Sequence, residues 1–297
     1  MLVRLAPLLF VLLWSSSFIA AKTGLKHLSP LLFIAIRLAA CATVLVAVMA
    51  VLGRSWRSLA ARQWLHCAVA GALLNAVGLM GPHVGLLTAP AAHIALVQSL
   101  TPLMTAIWGE TVLRERLSNG QWTGLILGLT GVGLVVGQAA VHSAAQLHAL
   151  LLTFVGVLGL VSGTLYFGRF CRRVPLLEGA TAQFLSAAVV AAATTLLLET
   201  PHAAWTGEAL LSVAWNTAMV SLGGMALYSA MLARGTAAAT AANFYLVPGT
   251  AALLSWLLLA EELSLVGILG LLVAAVGCRL VNALPAAPGD KKGERSR

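Results

Sequence analysis

The chain has 297 residues, of which 60% are hydrophobic and only 9% charged. A water-soluble domain carries about a quarter charged residues, so this composition excludes a soluble globular fold. The net charge of +9 does not point to nucleic acid, because the basic residues fall in short segments between apolar runs, where they act as topology signals.

A bilayer core needs about 20 mainly apolar residues per helix. In chain order the runs that meet this are Leu5–Ala21, Pro30–Leu52, Trp64–Leu87, Ala91–Gly109 and Trp122–Gln138. Leu147–Phe167, Leu177–Leu198, Leu210–Leu232, Ala237–Leu259 and Leu263–Asn282 follow. The first run comes after Arg4 and imitates a secretory leader, but bulky Phe18 would stand three residues before a cut after Ala20. It therefore reads as a retained first span. The expectation is an all-α polytopic membrane protein of ten transmembrane helices. The charged, Pro- and Gly-containing tail 285–297 reads as disordered and basic.

Charge sets the orientation. With the N-terminus in the cytoplasm, 15 of the 18 basic residues lie in cytoplasmic segments, from Arg4 through Arg54, Arg57, Arg62, Arg114, Arg116 and Arg169 to the tail. Only Lys22 and Lys26 fall outside, and Arg37 lies within a span. Both termini are then cytoplasmic, and the expected location is the cell (inner) membrane, crossed many times.

Part of the chain occurs twice. Pro102, Glu115, Leu117, Ser118, Gly124 and Gly131 recur 146 residues later as Pro248, Glu261, Leu263, Ser264, Gly270 and Gly277. Residues 95–134 laid over 241–280 give 12 identities in 40 positions without a gap. The expected division is 1–140, helices 1–5, and 147–284, helices 6–10. Five is odd, so the second copy enters the membrane from the opposite side. The halves are then inverted repeats about an axis in the membrane plane, a pair that opens a central site to each side in turn.

Trp14-Ser-Ser-Ser-Phe18 with Lys22, Arg37, and Pro102…Glu115-x-Leu117-Ser118…Gly124…Gly131 resemble an EamA family transporter of the drug/metabolite transporter superfamily. The resemblance covers nearly the whole chain. It implies two tandem EamA repeats and export or facilitated movement of small metabolites, often amino acids. The chain departs from the commoner pattern at Ser15, where glycine is frequent. It departs again at Gly159-Leu-Val-Ser162, where a second tryptophan motif is missing.

Polar side chains inside a bilayer are costly and face a cavity or a partner helix. Gln98, Thr101, Pro102 and Thr105 share one face of the fourth span. Pro102 cannot donate a backbone bond and so frees the Gln98 carbonyl; Pro248 does the same for Phe244, beside Asn243 and Tyr245. These prolines are the expected kinks or hinges. Trp14 sits mid-span, away from the interface where tryptophan is usual. Trp14, Asn75, Gln98, Thr101, Ser162, Tyr166, Asn243 and Tyr245 are the expected substrate-binding residues.

Arg37 is read as a structural charge that ties helices together, with capture of a substrate carboxylate as the competing role. His83 and His93 are candidates for proton or pH sensing, with an interhelical hydrogen bond as the alternative. The four cysteines form no C-x-x-C pair, so no metal is expected, and no phosphate loop or other cofactor motif is present. No catalytic residue is expected. The partners foreseen are a small-molecule substrate and membrane lipid, with a monomer or homodimer and no nucleic acid. The function expected is secondary or passive movement of small polar metabolites by alternating access, best fitted by amino-acid export. Nucleotide-sugar or drug transport is the alternative within the superfamily. An intramembrane enzyme is remote, because Ser162 and His83 would lie at different depths.

Overall fold

The computed structural model describes residues 2–55, 59–89, 94, 97–114, 116–136, 143–259 and 265–283. Among them the protein is helical, with a single isolated bridge between Leu28 and Ala203. The helical elements are α1 (Leu2–Gly24), α2 (Pro30–Val51), α3 (from Ala61 to Gly85), α4 (Leu100–Val112) and α5 (Asn119–Val136). The second half holds α6 (Ala144–Phe170), α7 (Leu176–Leu198), α8 (from Gly207 to Arg234), α9 (from Ala237 to Leu259) and α10 (Leu265–Ala283). Eight of them are long and apolar enough to cross a membrane, by length and composition. The other two, α4 with 13 residues and α5 with 18, do not meet that measure over the residues described. His93, Glu115, Glu261 to Ser264 and the tail 285–297 lie outside the described residues.

The helix starts follow from local chemistry. Ser143, Thr206 and Thr236 accept from the backbone N–H groups of Gln146, Ala209 and Ala239, capping α6, α8 and α9. Pro30 opens α2, where a missing N–H costs nothing. Ser118 of the repeated Leu-Ser pair starts α5: its backbone N–H donates to Gln121 Oε1 at 3.0 Å, and its Oγ accepts from the Gln121 N–H at 3.4 Å. That reciprocal arrangement is a capping box. In the first copy the Leu-Ser pair is thus a helix-start signal, with Leu117 buried beneath it.

Both halves break their helices at matching places. α3 carries a π-helical segment at Ala72–Val77, and α8 carries one at Asn216–Gly224. The repeat offset of 146 places the first inside the second. α9 tightens into a 3₁₀ turn at Asn243–Tyr245, just before Pro248. This is the turn whose carbonyl the proline ring displaces. The counterpart Ser99 is likewise a turn residue, at the head of α4 before Pro102.

Glycine seams hold the bundle. A Cβ on Gly277 of α10 would run into the backbone of Gly124 and Gly128 in α5, and one on Gly131 would run into Ala274 and Gly270. Gly78 and Gly81 of α3 face Leu160 and Leu152 of α6, whose own Gly159 and Gly163 face Val77 and Leu74. Without a hydrophobic drive between helices in lipid, such close backbone approach supplies much of the packing.

The two ends of the bundle differ. Arg54, Arg62, Arg114, Arg169, Arg172, Arg173 and Arg234 mark a basic end. There Arg172 ties down the end of α8 by donating to the Ala233 and Gly235 carbonyls at 2.9 and 3.3 Å. Buried Glu178, at the start of α7, meets Arg54 at 3.4 Å. At the opposite end the α1–α2 and α7–α8 connections close on each other. The Ser29 N–H donates to the His202 carbonyl at 3.0 Å, and His27 stands 3.3 Å from Glu208. Glu199 accepts from the Leu31 and Leu32 N–H groups at 3.2 and 3.0 Å, placing a carboxylate on the positive end of α2.

Candidate functional site

Arg37 is fully buried, and the polar groups that hold it come from the other half of the chain. Its Nε donates to Ser221 Oγ at 2.6 Å and its Nη1 to Asn216 Oδ1 at 3.0 Å. Asn216 Oδ1 also accepts from Ser17 Oγ at 2.7 Å, and its Nδ2 donates to the Ser212 carbonyl at 3.1 Å. Both acceptors of the guanidinium lie in the π-helical segment of α8. Such wide helical turns recur at functional sites. The network joins α1, α2 and α8 through side-chain oxygens. Among the described residues no carboxylate pairs with the guanidinium.

Beside Arg37 lies a narrow cavity whose lining includes Trp14, Ser17, Phe18, Ala21, His83, Leu86 and Gln98. Its volume is ≈ 20 Å³, room for about one water molecule. His83 Nδ1 contacts the Leu79 carbonyl at 2.8 Å, its ring stacks on Phe33, and its Nε2 is buried without a hydrogen-bond partner.

Toward the basic end the cavity is closed by four aromatic rings from α1, α8 and α9. Phe10 meets Trp14 at 5.3 Å, Tyr228 at 5.5 Å and Phe244 edge-on at 5.3 Å; Trp14 meets Phe244 at 5.2 Å. Tyr228 is fixed by a 2.8 Å hydrogen bond to Thr164. Ser15 Oγ donates to the Val247 carbonyl at 3.2 Å, so the serine standing where glycine is frequent ties α1 to α9 beside Pro248. Below the rings, two clefts reach the basic end. One of ≈ 230 Å³ is lined by Pro7, Arg234, Asn243 and Asn282, and one of ≈ 170 Å³ by Cys67, Arg172, Gln183 and Arg234.

The structure thus brings Trp14, Arg37, His83 and Gln98 around one cavity. Asn243 lines the larger basic-end cleft instead, its Nδ2 donating to the Thr240 carbonyl at 2.9 Å. Tyr245 packs against Gly128 between α5, α9 and α10 with its hydroxyl unpartnered, and is not part of the cavity lining. Asn75 sits in the π-helical segment of α3 with Oδ1 buried and unpartnered, and Thr101 is buried with an unpartnered hydroxyl. Ser162 is half-buried on α6. Tyr166 bonds His66 at 2.8 Å and packs with Phe170 near the basic end of α6. Pro102 is buried in α4 and Pro248 lies in α9 after its 3₁₀ turn.

Sequence reasoning passed over Ser17, Asn216 and Ser221. A signal was available for one of them: the repeat offset puts Ser221 opposite Asn75, which was itself singled out.

The curated proteins include one similar chain, "Uncharacterized transporter YvbV" of Bacillus subtilis (strain 168). It is 26% identical over 274 residues, 92% of this chain and 88% of that protein. A crystal structure described only as that of a protein superposes with a TM-score of 0.78 at 20% identity, covering 95% of this chain and 96% of the other. That likeness shows a shared fold. The model of the EamA-like transporter family matches residues 2–137 and again 147–283. With two family matches spanning nearly all of its length and apolar helices throughout, the chain is a multi-pass membrane protein and belongs to the EamA-like transporter family, within the drug/metabolite transporter superfamily.

Proposed function

We propose that this protein exports small amino acids by alternating access between two inverted five-helix halves. In this reading ten helices cross the membrane, residues 1–140 and 147–284 are the halves, and the basic end with both termini faces the cytoplasm. The observation that carries the substrate class is Arg37. A guanidinium buried among neutral partners, with no described carboxylate paired to it, borders a cavity walled by Trp14 and Gln98. Such a charge is costly in the membrane unless an anion meets it during the cycle. A carboxylate is the anion a single arginine suits; a nucleotide sugar, with two phosphates, calls for more cations than this cavity offers.

The clefts at the basic end and the sealed connections at the opposite end support a conformer closed to the outside and closed around the site. An amino acid does not fit ≈ 20 Å³, so loading requires the aromatic rings to part. Asn243, in the larger cleft, is assigned to the entry path, and Gln98 to the site itself.

The test is counterflow of labelled L-leucine, L-alanine and L-serine into proteoliposomes. Reconstituted protein should exchange at least one of them faster than empty liposomes. Gln98→Ala should raise KM, and Asn243→Ala should slow flux with little change in KM. No exchange of any neutral amino acid would refute the substrate class.

A further inference from the structure

His83 offers a feature that Arg37 alone does not use. Its Nδ1 lies 2.8 Å from the Leu79 carbonyl. A carbonyl oxygen only accepts, so Nδ1 carries the ring proton. In its neutral form the imidazole then presents Nε2 as a bare acceptor. That atom is buried and has no partner, and the residue lines the same cavity as Arg37. Stacking on Phe33, with ring centroids 5.9 Å apart and an angle of 24° between planes, holds the imidazole in place. Buried polar atoms are nearly always satisfied, and an orphan at a cavity marks a place where something else supplies the donor.

We infer that the cavity reads a zwitterion at two points, with the Arg37 guanidinium taking the carboxylate and His83 Nε2 accepting a hydrogen bond from the α-ammonium group. This rests on the amino-acid reading above and adds its specificity. A guanidinium only donates and Nε2 only accepts. A ligand that satisfies both carries acceptors and a donor on one small frame. A simple carboxylate leaves Nε2 orphaned. A simple amine brings a second positive charge beside Arg37 with nothing to offset it. In an α-amino acid the ligand's own carboxylate lies between the two cations. Trp14, Phe18, Leu79 and Leu86, with the neutral polar groups of Ser17 and Gln98, line the rest of the cavity, so the side chain accommodated is uncharged.

Competition against L-leucine counterflow tests this. The competitors are 4-methylpentanoate, which lacks the amino group, and 3-methylbutylamine, which lacks the carboxylate. Unlabelled L-leucine should inhibit wild-type uptake at least about tenfold better than either, the margin expected when a buried polar group of the site is left unpaired. His83→Phe keeps a ring against Phe33 and removes the acceptor. Its preference for leucine over 4-methylpentanoate should shrink by about tenfold, while the preference over the amine persists, because Arg37 is untouched. His83→Gln, which keeps an acceptor, should recover part of the lost preference. These ratios are internal to each preparation, so partial loss of folded protein does not move them. An unchanged leucine-to-carboxylate ratio in His83→Phe overturns the two-point reading while leaving amino-acid transport standing. Absence of counterflow by the wild type with every neutral amino acid overturns the underlying reading instead.

Discussion

Replacing Asn216 by aspartate separates the structural role of Arg37 from its role in binding. The substitution changes almost no volume and places a carboxylate where Asn216 Oδ1 now stands, 3.0 Å from Arg37 Nη1. At that distance and an effective dielectric constant of about 20, the direct attraction is about 5 kcal/mol. Two terms oppose it. Desolvating the new carboxylate costs several kcal/mol, and the bond from Asn216 Nδ2 to the Ser212 carbonyl at 3.1 Å is lost, with two oxygens left facing each other. The net change in melting temperature is therefore small and of either sign. Binding is where the effect is large. A guanidinium that already owns a carboxylate has little left for a second, and a charge-assisted hydrogen bond contributes about 1.5–3 kcal/mol. That corresponds to a rise in KM of about tenfold to a hundredfold. The assay is L-leucine counterflow over a concentration series, on protein whose gel-filtration profile matches the wild type. A KM within about twofold of wild type would refute the assignment of Arg37 to the substrate carboxylate and leave it a structural tie between α2 and α8.

Three further outcomes follow from other parts of the structure. Gly277→Val forces a branched side chain into the backbone of Gly124 and Gly128, and should lower stability in detergent by about 1–3 kcal/mol or more; an unchanged melting curve would mean that α5 and α10 are not in close contact. Glu199→Ala removes the carboxylate that caps α2 through Leu31 and Leu32, at a cost of about 0.5–2 kcal/mol. A Ser29→Cys reporter should then react faster with an impermeant thiol reagent applied at the end away from the arginines. Phe10→Leu loosens the ring cluster with Trp14, Tyr228 and Phe244. It should speed labelling of an Ala21→Cys reporter from the basic end, and an unchanged rate would show that the rings are not the barrier on that side.

What the sequence shows of this fold is what apolar length and local helix chemistry write into it. The capping serine at 118, the prolines at 102 and 248 and the glycines at 124, 131, 270 and 277 all act within one turn or one helix contact, so their spacing is readable. The cavity was legible only in part. Trp14 and Gln98 stand out as polar or amphipathic groups in mid-span, and the structure puts both on one cavity. Asn243 and Tyr245 stand out by the same rule, yet one faces the larger cleft and the other a helix seam. Composition says that a polar group must be satisfied; it does not say on which face of a kinked helix the group emerges. The π-helical segments of α3 and α8 compound this. An extra residue in one turn rotates everything beyond it, so a face counted at 3.6 residues per turn no longer predicts which side chains converge. Asn216 and Ser221 lie inside such a segment, and for that reason periodicity could not single them out as partners of Arg37.

The two halves match in backbone and differ in side chains, and that division has a physical basis. In the proposed alternating-access cycle each half needs to offer the same compliant points, because whatever bend one half has in one state the other adopts in the next. The π-helical segments and the pre-proline turns supply those points, and they fall at the same offset in both halves. The substrate of that proposed cycle, by contrast, is one asymmetric molecule, and two copies of a guanidinium beside it would repel each other and double the desolvation cost. Arg37 accordingly has neutral Gln183 as its counterpart, and Gln98 has Phe244, which serves the ring cluster instead. The bends thus occur in both copies, and in the proposed reading single-copy side chains set what the cavity holds.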